Sequence, residues 1–131
     1  MRVSVIRKNI KFTPDSRRVV ARYFMNGDER TQQMVIRIMM LDEKQVSDTL
    51  EQTLREFARR HRNISAIFFK HCEKIRPLIE AMQIDYEAMS LNRKMLIGSY
   101  CTMEYAIESA AIFNPSIVED FDQSGLEAGE K

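Results

Sequence analysis

Two histidines, two cysteines and one spaced pair of glutamates are the residues of this chain best suited to chemistry. His61 sits in a basic knot, Arg59-Arg60-His61-Arg62, and His71 lies near an apolar stripe. Neither has a carboxylate three or four residues away, so neither forms a helical metal motif. Glu104 and Glu108 are four apart, but a diiron bundle needs Glu-x-x-His on two helices, and the sequence has no Glu-x-x-His. The glutamates therefore read as a solvated or interface-facing pair. Cys72 and Cys101 fall in apolar helical patterns and read as buried free thiols, with a disulfide between them as the alternative. Neither a CxxC pair nor a zinc-ligand spacing is present. The apolar neighbourhood of Cys101 argues against an activated thiolate. With four glycines and no Gly-x-Ser-x-Gly, the chain has neither a phosphate loop nor a nucleophile elbow. The basic knot could contact phosphate; its place at the end of a helical pattern favours cations complementing the backbone dipole.

Those residues must be held by elements, and the elements are mostly helical. Residues 1–27 read as an extended arm of short strands. Val3, Val5, Ile10 and Phe12 suggest extended pieces, Thr13-Pro14-Asp15-Ser16 a turn, and Val19-Val20-Ala21-Arg22-Tyr23-Phe24 a β-branched and aromatic strand. Such an arm packs on something else or forms its own hairpin; too few strands are present for an independent sheet. Residues 28–112 read as a helical domain. Met34, Val35, Ile38 and Leu41 share one helical face, and Val46, Leu50, Leu54 and Phe57 a second. Asp42 and Gln45 make a capping box at the start of the second helix. Asn63 caps a third helix carrying Ile64, Ile67, Phe68, Cys72 and Ile75, which Pro77 should end or kink. Leu78, Ile79 and Met82 then form a short continuation. Ser90 caps a fourth helix, expected from Leu91 to about Ala111, with Leu91, Met95, Tyr100, Met103 and Ile107 on its face. Asn114-Pro115 breaks it, and residues 113–131 form a C-terminal segment, disordered or strand-like. The fold class is mainly α, a four-helix bundle-like array.

Composition narrows the function classes. The 131 residues are 44% hydrophobic, enough for one domain with a real core. Twenty basic and nineteen acidic residues leave a net charge of +1, which gives no electrostatic argument for nucleic acid or a membrane surface. The charge is uneven: residues 119–131 hold five carboxylates against one lysine. No stretch approaches the about 20 apolar residues of a membrane span, and the apolar run after Met1 is too short for a signal peptide. A cytoplasmic location is expected. Nine methionines, mostly at stripe positions, read as core filling or as an adaptable docking surface.

Four blocks add a resemblance. Ser16-Arg17-Arg18-Val19-Val20-Ala21-Arg22-Tyr23-Phe24, Arg60-His61-Arg62-Asn63-Ile64, Leu96 through Glu108, and Phe113-Asn114-Pro115-Ser116-Ile117-Val118 occur in an order and spacing similar to the N-terminal region of glycoside hydrolase family 130. Asp122-Gln123-Ser124-Gly125-Leu126 fits as well, although Asp120-Phe121 stands where the family commonly has His-Pro. The family comprises β-mannoside phosphorylases and β-1,2-mannosidases. The resemblance implies a helical region preceding a five-bladed β-propeller, with the Phe-Asn-Pro block at the start of the first blade. It implies that Asn114 and Ser116 approach the sugar; by local sequence alone Asn114 is a helix-end residue restricted by Pro115. No residue here matches the family's general-acid aspartate, and beyond the entry to the first blade nothing in the 131 residues matches the propeller.

The expectation is therefore a non-catalytic helical module of a β-mannoside-processing enzyme, or a truncated relative of one, acting in docking and oligomerisation. A glycosidase needs groups on both faces of the scissile bond, which one helical module with one strand does not supply. Two alternatives stand: a mannoside phosphorylase or hydrolase component contributing Asn114 to the sugar pocket, and an unrelated helical adaptor. The expected partners are a second copy or a β-propeller domain, with β-mannosides beyond them. No metal or organic cofactor is expected, and inorganic phosphate enters as co-substrate if the enzyme is a phosphorylase.

Overall fold

The computed structural model describes residues 17–106, together with Ile6, residues 9–11, Thr13 and Asp15. The elements in chain order are β1 (Val19–Tyr23), α1 (Asp28–Met39), α2 (Glu43–Phe57), α3 (Ile64–Ala81), α4 (Leu91–Tyr100) and β2 (Thr102–Ala106). The protein is mainly α, with four helices and one small sheet.

The helix starts follow local chemistry. At α2 the capping box forms: Gln45 N–H donates to Asp42 Oδ1 at 2.8 Å, and Asp42 N–H to Gln45 Oε1 at 3.0 Å. At α4 the Arg93 N–H donates to Ser90 Oγ at 3.2 Å. Asn63 occupies the position before α3 but makes no side-chain cap; its φ of 54° supplies a left-handed turn instead. Gly27 precedes α1 with φ 81° and ψ 157°, an extended positive-φ conformation that glycine adopts readily.

Two expectations give way here. Pro77 neither ends nor divides its helix, because α3 continues to Ala81. Pro77 faces solvent, so water can reach the Glu73 carbonyl that lost its donor. On the opposite side Ile75 and Ile79 are fully buried and hold both halves against the core. The fourth helix is also shorter than its apolar pattern suggested. It ends at Tyr100, and Thr102–Ala106 is a strand antiparallel to β1, with Val19 opposite Ala106 and Tyr23 opposite Thr102. Phe24 N–H donates to the Cys101 carbonyl at 2.9 Å and lengthens the ladder. The arm thus finds its hydrogen-bond partner within the chain, and that pairing outweighs continuation of the helix.

The core runs through Val35, Val46, Leu50, Phe68, Cys72, Ile75, Ile79, Leu96 and Ile97. Its hub is α4, which packs against α1, α2 and α3 and buries Arg93, Leu96, Ile97, Gly98 and Ser99. At Gly98 a Cβ would lie 1.8 Å from the Phe68 carbonyl oxygen, so α3 and α4 touch backbone to backbone. Arg93, 7% exposed, secures the other end of α4. Its guanidinium donates to the Ile38 carbonyl, to the Leu41 carbonyl at 2.9 Å and to Glu43 Oε1 at 2.6 Å. One side chain thereby satisfies carbonyls at the end of α1 and pairs with the first residue of α2.

Candidate functional site

The chemistry-bearing residues collect beneath the inward face of the sheet. Alternation along each strand turns Val19, Ala21 and Tyr23 of β1, and Thr102, Glu104 and Ala106 of β2, toward the helices. Opposite Glu104 lies the turn after α2. Arg60 Nε donates to Glu104 Oε1 at 2.9 Å and its Nη2 to Oε2 at 3.0 Å. His61 Nε2 donates to Oε1 at 2.6 Å. Phe57 stacks on the His61 ring, centroids 6.0 Å apart, with the Arg60 guanidinium 5.7 Å from the Phe57 centroid. Burial works to raise the Glu104 carboxyl, but hydrogen bonds and charge from Arg60 and His61 outweigh it and hold the group below its usual range. Glu104 is an ionised acceptor with both oxygens occupied. It does not act as a proton donor; it clasps β2 to the helices.

The basic knot does fall at the end of α2, where the sequence put it, and Arg60 and His61 have a carboxylate partner there. The partner was not legible because Glu104 read as helical and paired with Glu108. Period-two alternation over Thr102–Ala106 was the available signal. Glu108 lies outside the described residues.

A second polar contact sits beside the clasp. Thr102 Oγ1 donates to the Gly98 carbonyl at 2.8 Å, so the same oxygen accepts from His71 Nδ1–H at 2.7 Å. This fixes His71 as the Nδ1–H tautomer. Tyr23 meets the His71 ring edge to face, centroids 5.7 Å apart, and Lys74 Nζ lies 4.9 Å from the Tyr23 centroid. Burial, with Lys74 and Lys70 adding to it, holds His71 below its ordinary value. A neutral imidazole bonded to a threonine is a packing device here.

Cys72 and Cys101 are both free and buried. Burial pushes the Cys72 thiol up to about 11 and the Cys101 thiol up to about 12, so neither is a nucleophile near neutral pH. Among the described residues no group of three His, Cys, Asp or Glu side chains is arranged to hold a metal ion. Among them also, no helix is long and apolar enough to cross a membrane.

The outer surface has different features. The solvent face of the sheet presents Val20 and Tyr105 as a directly opposed pair, with Met103 and Arg22 as the next. Val20, Met103 and Tyr105 are exposed, and Phe24 and Met25 continue the apolar strip. Around the end of α4 lie two adjoining hollows of about 300 and 380 Å³ that share Met34 and Tyr100. The two residues expected to approach a sugar, Asn114 and Ser116, lie outside the described residues, as does the whole segment 113–131. The chain matches no family model, no curated protein and no solved structure.

Proposed function

We propose that this protein is a non-catalytic helical docking module of a β-mannoside-processing glycosidase or phosphorylase, and that its partner is a β-propeller domain. The observation that supports the reading is the apolar outer face of the β1–β2 sheet. Two strands alone are marginal, and a sheet that leaves Val20, Met103 and Tyr105 in water is suited to cover by another β-rich surface. The Arg60–His61–Glu104 clasp anchors β2, the strand upstream of the Phe113-Asn114-Pro115-Ser116 block. By the resemblance Asn114 and Ser116 would then contribute to the sugar pocket of the joined enzyme, with inorganic phosphate as co-substrate if it is a phosphorylase. Free Cys72 and Cys101 suit a reducing, cytoplasmic setting.

The test is co-expression with a β-propeller domain of the resembled family, supplied as a separate chain. The expected result is co-purification that is lost in Tyr105→Glu while the helical circular dichroism of the module is kept. β-Mannoside turnover, with and without phosphate, is expected only when the propeller is present. Turnover by the 131-residue chain alone would overturn the docking reading.

A further inference from the structure

The two hollows that share Met34 and Tyr100 form one groove along α1. Its ends differ from its floor. Phe24 and Met103 join the shared pair in one hollow, Ile38 and Leu41 in the other, and an arginine stands at each, Arg30 in the first and Arg37 in the second. The arginines stand seven positions apart on the helix, about 10 Å along the axis. Both are exposed, neither pairs with a carboxylate among the described residues, and no acidic residue lines either hollow. An apolar floor with two unneutralised cations at its rim fits an extended acidic peptide carrying an aromatic or aliphatic anchor.

The chain itself encodes one. Glu119-Asp120-Phe121-Asp122 places a phenylalanine among three carboxylates, within a stretch where five carboxylates face one lysine. The tether is favourable. Met103 of β2 lines the groove, and fifteen residues lead from Ala106 to Phe121, a reach of up to about 50 Å. Over so short a linker the effective concentration of the segment is on the order of millimolar, so weak individual contacts suffice.

We infer that the groove between α1 and the end of α4 is the docking site for this chain's own acidic segment, residues 119–122, bound intramolecularly with Phe121 against Met34 and Tyr100 and its carboxylates on Arg30 and Arg37. This goes beyond the proposed partner and does not rest on it, although the two surfaces adjoin at Phe24 and Met103, which belong to both.

The chain has no tryptophan, so Phe121→Trp gives a single emission reporter in the full-length protein. Its emission is expected to be blue-shifted relative to a free peptide of residues 115–127 carrying the same substitution. The shift should be lost in Arg30→Glu/Arg37→Glu and restored when Asp120→Arg/Asp122→Arg is added. Circular dichroism confirms that the reversed variants keep their helices. Emission equal to that of the peptide, or unaffected by reversal of the arginines, would overturn the proposal. A blue shift that disappears on dilution would also overturn it, because the occupant would then be a second copy.

Discussion

His71 carries a charge state that its surroundings decide. Buried against Tyr23 and bonded to Thr102, with Lys70 and Lys74 nearby, it resists protonation in the folded protein. The unfolded chain takes up that proton near the ordinary value of 6.5, and the folded chain does so only at lower pH. Between those two values the unfolded state binds more protons, so stability is full above 6.5, falls as pH drops below it, and levels off at the folded value. His71→Gln removes this dependence and about 1 kcal/mol of hydrogen bonding at pH 8. Urea unfolding midpoints measured between about pH 8 and pH 5 should therefore converge for the two proteins as the solution is acidified. A constant gap across that range would contradict a neutral His71. At this scale the sequence was only half informative. It placed His71 near an apolar stripe and His61 beside arginines, but Glu104 and Thr102, their partners, lie in a strand whose period-two pattern competes with a helical one over the same residues.

Among the elements, α4 depends on a single cation at its first turn. Arg93 holds carbonyls at and just after the end of α1 and the Glu43 carboxylate at the start of α2, so its loss removes a charged donor from all three, and the Ile38 carbonyl keeps only the Leu41 N–H at 3.2 Å. Arg93→Leu is expected to destabilise the protein by about 2–3 kcal/mol, read from denaturant midpoints. Glu43→Gln should cost less, since its carboxylate faces water and the arginine keeps its two carbonyls. Equal losses would mean that the ion pair, and not the carbonyl contacts, carries the joint. Helix faces were legible in the sequence because α1, α2 and α3 each keep one apolar stripe, and the caps at Asp42 and Ser90 follow from side-chain chemistry alone. The boundary between α4 and β2 was not. Tyr100, Met103 and Ile107 suit a helical repeat, and Thr102–Ala106 equally suits a strand. The choice is made by Val19–Tyr23, far upstream, whose backbone needs a partner. Pro77 failed as a stop signal for a similar reason: Ile75 and Ile79 bind both sides of it to one core.

For the whole molecule, the exposed sheet face makes association the expected state without a partner. Light scattering of the isolated chain should give a dimer or larger at high concentration, shifting toward monomer with Val20→Glu/Tyr105→Glu. A monomer throughout would show that the apolar strip is too small to bring two copies together. The antiparallel pairing has another consequence at this scale. Val19 and Ala106 are direct neighbours in the ladder, so the backbone enters and leaves the packed region at points about 5 Å apart. Between those points lies the described core, from Val35 through Cys101. A body with adjacent ends can be spliced into a surface turn of a host domain without prying the turn open, and its original ends can be joined while new ones are cut elsewhere. The helical region is in this sense a cassette, portable between scaffolds through a gap one strand wide.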